Sequence, residues 1–150
     1  MSPQLIKEKY NLKKNRYILY LGRFVPEKRI EWLIETSNFI NIPIVIAGGS
    51  SHSEKYVKYL HKKAKQKNII FTGYVFGREK EELLSNCSLF VLPSSLEGYP
   101  IVIEEVLKYG KKCLIGDFIQ KEYSLKDKKL FFFSSDNNKD FNKKLLRMLK

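Results

Sequence analysis

Two carboxylates eight residues apart, Glu97 and Glu105, mark the stretch of this chain best suited to chemistry. The first sits in Pro93-Ser94-Ser95-Leu96-Glu97-Gly98-Tyr99-Pro100, and the second in the segment that follows. Pro100 suits the first turn of a helix, where its missing N–H is no loss, and Gly110 supplies a C-terminal stop. The start of such a helix presents free backbone N–H groups and a positive dipole end, a seat for phosphate. Gly98 lets the backbone approach an anion closely. Glu105 then lies roughly 8 Å along the helix axis from Pro100. Carboxylates so placed accept hydrogen bonds from hydroxyls on different parts of one elongated ligand, and sugar and ribose hydroxyls are such donors.

Three further glycine-containing loops have the same standing: Gly22-Arg23-Phe24-Val25-Pro26-Glu27-Lys28, Gly48-Gly49-Ser50 and Gly73-Tyr74-Val75. Each follows a short apolar run. The runs are Tyr17–Leu21, Ile44–Ala47, Ile69–Thr72, Leu89–Leu92, Cys113–Ile115 and Leu130–Phe133, mostly continuous rather than alternating, as in parallel strands covered on both faces. Amphipathic segments near 30–40, 54–67, 78–86, 101–109 and 137–149 lie between and after them. In the first, Ile30, Leu33, Ile34 and Ser37 form one stripe at helical spacing. Strand–helix alternation predicts a single Rossmann-like α/β domain over residues 1–150, with about six parallel strands and helices on both faces. Residues 1–15 read as a linker and N-terminal helix. In such a sheet ligands bind beyond the carboxyl ends of the strands, which puts all four loops on one edge. Neither a GxGxxG fingerprint nor a GxxxxGK[ST] phosphate loop is present, which argues against an NAD enzyme or a P-loop NTPase. No nucleophile–His–acid triad or metal-ligand cluster stands out, and His52 and His61 read as surface residues.

The chain has 150 residues, about one domain, with 43% hydrophobic and 29% charged residues. Its apolar runs are far shorter than the roughly 20 residues of a membrane helix, and the N-terminus carries no signal-peptide pattern. Cys87 and Cys113 sit in or beside apolar runs and read as buried thiols of a cytoplasmic protein. The net charge of +12 favours anionic partners. The lysines are nevertheless spread through every helix, with no recognised nucleic-acid motif, so nucleic acid is not the expected partner.

The stretch FVLPSSLEGYPIVIEEVLKYG, residues 90–110, resembles the signature of retaining GT-B glycosyltransferases of the group 1 (family 4) type. That family has a Glu-x7-Glu motif, matched by Glu97 and Glu105, and a Gly-Arg…Glu-Lys element, matched by Gly22, Arg23, Glu27 and Lys28. The Gly48-Gly49 turn and Phe71-Thr72-Gly73 also fall where the family has them, and the likeness runs over about residues 12–117. The resemblance implies half of a GT-B fold that transfers a sugar from a nucleoside-diphosphate sugar to a hydroxyl, with retention. Arg23 and Lys28 would stabilise the leaving diphosphate, Glu97 would position the sugar, and Glu105 would hold the ribose. Gly22, Gly48, Gly49, Tyr74, Gly98, Tyr99 and Pro100 complete the expected donor site. No metal is expected, because cationic side chains and a helix start carry the diphosphate charge.

Two departures stand out. Arg29 occupies a position where the family usually has Gly, and the family's Asp-x-Gly-Gly-x-x-Glu element survives only as Asp117-Phe118-Ile119-Gln120-Lys121-Glu122. The resemblance implies that these residues lack the family's N-terminal acceptor domain, and a partner domain or subunit that supplies it is expected. Polysaccharide, lipopolysaccharide or glycolipid synthesis is the expected setting, with peripheral contact at the anionic inner membrane face. The alternatives are a non-catalytic nucleotide-sugar-binding module, a GT-B sugar-phosphate epimerase and a basic nucleic-acid-binding protein.

Overall fold

The computed structural model of the chain describes residues 1–50, 53–65, 67–94, 101–117 and 127–150. The apolar runs form the strands β1 (Ile18–Leu21), β2 (Ile44–Ala47), β3 (Ile69–Gly73), β4 (Leu89–Leu92), β5 (Cys113–Gly116) and β6 (Leu130–Phe133). They join one sheet of six strands in the order β3-β2-β1-β4-β5-β6, every neighbouring pair parallel. β2, β4 and β5 are buried along their whole length, whereas the edge strands β3 and β6 are only partly covered. That pattern explains the continuous runs, since a strand covered on both faces has no solvent side to alternate with.

The α-helices among the described residues are α1 (Leu5–Tyr10), α2 (Ile30–Thr36), α3 (Glu54–Lys63), α4 (Gly77–Asn86), α5 (Ile101–Lys108) and α6 (Asn138–Met148). Their contacts sort them into two groups: α2 packs on α3 and α6, while α4 packs on α1 and α5. The predicted stripe is real, with Ile30, Leu33, Ile34 and Ser37 all buried. Its helix is shorter than the expected 30–40, because α2 passes at Thr36 into a 3-10 turn over Ser37–Phe39. Thr36 Oγ1 donates to the Trp32 carbonyl and Ser37 Oγ to the Ile34 carbonyl, side-chain bonds that compete with the helical ladder. α3 stops at Lys63 rather than 67, its end tightened by bonds from the Lys65 N–H to the Lys62 carbonyl and the Lys67 N–H to the Ala64 carbonyl. Trp32 of α2 meets Phe133 of β6 and Phe141 of α6, with ring centroids 6.4 and 5.8 Å away.

The N-terminal segment belongs to the domain, for Ile6 and Leu12 are fully covered. Two carboxylates of α4 tie it down. Glu79 accepts from Tyr10 Oη at 2.6 Å and from Lys9 Nζ at 2.9 Å, and the buried Glu82 accepts the Ile6 N–H at 3.3 Å. Tyr17, also buried, donates its hydroxyl to the Leu83 carbonyl at 2.6 Å.

Cys87 and Cys113 are free and buried. Burial pushes the Cys87 thiol up to about 12, despite the nearby Lys111 ammonium, and also raises Cys113. Neither is a thiolate at neutral pH, so neither should react with a thiol–disulfide exchange reagent until denaturant is added. Rapid stoichiometric labelling of the native protein would contradict this packing.

Candidate functional site

The sheet order reverses between β1 and β4, and a doubly wound sheet binds ligands at the carboxyl side of such a switch point. Gly22-Arg23 leaves β1 on one side of it, and Pro93-Ser94 leaves β4 on the other, with Ser94 fully buried.

Beyond the strands, the three glycine loops are stitched edge to edge. The Gly22 N–H donates to the Ala47 carbonyl at 3.1 Å, the Phe24 N–H to the Gly49 carbonyl at 2.9 Å, and the Gly48 N–H to the Gly73 carbonyl at 2.9 Å. The register explains the alignment: Leu21 pairs with Ala47, and Ala47 with Gly73 across an irregularity between β2 and β3. Among the described residues, two adjoining cavities open on this edge. One, of about 200 Å³, is lined by Leu21, Gly22, Arg23, Gly48, Tyr74 and Val75. The other, of about 380 Å³, includes Gly48, Gly49, Ser50, His61, Thr72 and Tyr74. Gly48 and Tyr74 border both cavities, and a side chain added at Gly49 would meet the Tyr74 ring at 3.2 Å.

Arg23 is exposed, and its side chain makes no ion pair with the described residues. Its position is fixed through its backbone, whose carbonyl accepts the Tyr20 hydroxyl at 2.8 Å. Lys28 ends a 3-10 turn over Pro26–Lys28, half-buried. Arg29 then takes the left-handed conformation, φ 51° and ψ 41°, which accounts for glycine being the family's usual residue there. For an L-residue that conformation costs about 1–2 kcal/mol. The Arg29 guanidinium offsets the strain by lying 4.5 Å from the Trp32 ring centroid and pairing with Asp136.

The sequence-predicted residues Gly22, Arg23, Gly48, Gly49 and Tyr74 are therefore brought together. Lys28 and Glu105 line neither cavity. Glu105, on α5, pairs at 3.4 Å with Lys80 of the first turn of α4. Glu97, Gly98, Tyr99 and Pro100 lie outside the described residues, as do His52 and the segment from Phe118 to Glu122. Asp117 is tied to the loop after β6, accepting from the Ser135 N–H at 3.0 Å and Oγ at 2.7 Å.

Sequence reasoning missed two participants. His61 is exposed, as expected, yet its ring stacks on Phe71 with centroids 3.9 Å apart and lines the larger cavity. Its signal was the four-residue spacing from Val57, which puts both on one face of α3. Lys80 left no signal, because its pairing joins two helices far apart in sequence.

A six-stranded parallel sheet with a glycine-rich edge at its switch point is a Rossmann-like α/β framework. The chain matches the profile of the glycosyl transferases group 1 over residues 3–150 and belongs to that family. It is 26% identical over 121 residues to an uncharacterized glycosyltransferase of Bacillus subtilis strain 168, YqgM, covering 75% of this chain and 33% of YqgM. The structure of Anabaena HepE in complex with UDP-glucose superposes with a TM-score of 0.83 at 17% identity, covering 97% of this chain and 42% of that one. The catalytic domain of Helicobacter pylori cholesterol-alpha-glucosyltransferase superposes with a TM-score of 0.70 at 25% identity, covering 90% of this chain and 86% of that one. The chain spans about a third of the length of curated relatives that it matches, 33% of YqgM and 30% of a Streptomyces kanamyceticus alpha-D-kanosaminyltransferase. No helix among the described residues is long and apolar enough to cross a membrane.

Proposed function

We propose that the chain is the donor-binding half of a retaining glycosyltransferase that uses a nucleoside-diphosphate sugar. The bond from the anomeric carbon to the diphosphate oxygen breaks, a bond to an acceptor hydroxyl oxygen forms, and the hydroxyl proton is released. The observation that carries this reading is Arg23, exposed and without an ion-pair partner among the described residues, on the glycine-lined edge of the switch point. A guanidinium there meets negative charge as it grows on the leaving diphosphate. Lys28 supplies a second cation, so the reading needs no metal. Glu105 receives the ribose hydroxyls. Its half-exposed pair with Lys80 is worth about 1 kcal/mol, little enough for those hydroxyls to compete. Glu97 positions the sugar, and Gly98, Tyr99 and Pro100 are assigned to the same donor site.

The bound UDP-glucose of HepE supports a nucleotide-sugar donor. The partial coverage of relatives fits an acceptor-binding N-terminal domain supplied by the rest of the protein or by a separate subunit. Synthesis of a polysaccharide, lipopolysaccharide or glycolipid at the cytoplasmic membrane face is the setting that we infer.

The test is thermal melting of the chain with UDP-, GDP- and ADP-sugars. A donor at 100 times its dissociation constant stabilises the fold by about 2.7 kcal/mol, which raises Tm by roughly 5–10 °C in a domain of this size. The shift should be selective for one base and shrink in Arg23→Ala and Glu105→Ala. An equal shift in both variants, or none at millimolar donor, overturns the assignment.

A further inference from the structure

At the opposite end of the sheet, cations gather where the strands begin. Arg16 precedes β1, Lys111 and Lys112 precede β5, and Lys129 precedes β6, so the strand order brings residues distant in sequence to one edge. They line a cavity of about 500 Å³ whose lining contains no carboxylate. Lys111 Nζ donates to Asn15 Oδ1 at 2.6 Å, while the side chains of Arg16, Lys112 and Lys129 make no ion pair among the described residues. Burial, together with the positive charges of Lys14 and Lys129, lowers the Lys111 pKa, though Cys87 acts the other way.

Helix C-termini offset part of this charge. α4, α5 and α6 end at this edge, each worth about half a negative charge, and Asp127 accepts the Lys129 N–H nearby at 2.8 Å. These partial charges and Asp127 do not cancel the four lining cations, with Lys14 adding a further positive charge nearby. A phosphate monoester carries about −1.5 to −2 at neutral pH, the opposite sign to that surplus.

We propose that this cavity is a second anion site, which takes the phosphate group of a ligand larger than phosphate itself. Its source is either a soluble phosphate ester or a lipid headgroup. The cavity continues past Asn41, Ile42 and Leu149 into an apolar groove beside Phe39, a residue 75% exposed. An acyl chain or membrane surface would use Phe39, whereas a soluble ester would not.

The experiment follows backbone amide resonances of the whole chain during titration with inorganic phosphate and pyrophosphate, against chloride at matched ionic strength. Saturable shifts are expected at Arg16, Lys111, Lys112 and Lys129, and they should persist in Arg23→Ala, which separates this site from the proposed donor site. Lys111→Gln combined with Lys129→Gln should weaken binding about tenfold or more, and Lys112→Gln gives a second reading that spares the Lys111–Asn15 bond. Co-sedimentation with phosphatidylglycerol/phosphatidylcholine vesicles, weakened by both the lysine variants and Phe39→Ser, identifies a lipid source. Phosphate shifts without sedimentation identify a soluble one. No saturable shift at these amides and no sedimentation, or binding indifferent to the lysine variants, overturns the proposal.

Discussion

Gly48→Ala should cost the protein on the order of 3 kcal/mol of stability and lower Tm by roughly 10 °C. Gly48 has φ +127°, and a Cβ there would stand 1.9 Å from the Gly22 carbonyl oxygen. That oxygen belongs to the backbone of the neighbouring loop, so no side-chain rotation relieves the clash. The loops after β1 and β2 would have to separate, endangering the bonds of Gly22, Phe24 and Gly48 that stitch the three loops together. The same movement would spoil both cavities, so any donor-induced Tm shift should vanish with the stability. Gly77→Ala is the control. Gly77 also has positive φ, +55°, but nothing lies within 4 Å of an added Cβ. It should lose only the left-handed strain, about 1–2 kcal/mol. Equal losses in the two variants would mean that the Gly22 contact is unimportant.

The second large effect is expected at Glu82→Ala, a loss of about 3 kcal/mol or more. Glu82 is buried, and the short α1 has no side-chain cap of its own. Glu82 serves as that cap from another helix, accepting the Ile6 N–H at 3.3 Å and Arg78 Nε at 3.0 Å. Removing it strands the Ile6 N–H of a buried residue at the start of α1 and frees Arg78. Urea denaturation should show the loss.

The same carboxylate contributes to acid sensitivity. Burial opposes its charged form, but the Ile6 N–H, the Arg78 guanidinium and the Gln4 and Leu5 amides outweigh burial and hold its pKa below the usual 4.5. Glu79 is likewise held low by Tyr10 and Lys9 against burial. A folded pKa below the unfolded one makes the stabilisation complete above about pH 4.5 and lost as pH falls through the folded value. The stability of Glu82→Ala should therefore vary less than wild type below pH 4.5, with Glu79 and Asp140 leaving a residual slope. An unchanged slope would remove Glu82 from this role.

Much of this was legible in order along the chain. Apolar runs such as Ile44–Ala47 and Leu89–Leu92 became strands with the expected bounds, because burial on both faces leaves a continuous local signature. The glycine loops that follow the first three strands met on one edge because parallel pairing aligns their carboxyl ends. The Arg29 departure had a local basis as well, a left-handed residue that packing onto Trp32 and Asp136 makes tolerable. Glu82 was not legible: in Glu81-Glu82-Leu83 it reads as one more helix acid, and its burial follows from where α1 docks.

By itself, then, the sequence determined the α/β class, the strand-bearing runs, the glycine edge and the motif of the group 1 glycosyl transferases, all of which are written in neighbouring residues. Tertiary structure alone decided that Gly48 abuts Gly22, that Lys80 meets Glu105, that Glu82 caps a helix 76 residues away, and that cations before β1, β5 and β6 share one cavity. Each of these depends on the distance between segments that strand order and helix packing bring together, and no local pattern of residue types encodes that distance.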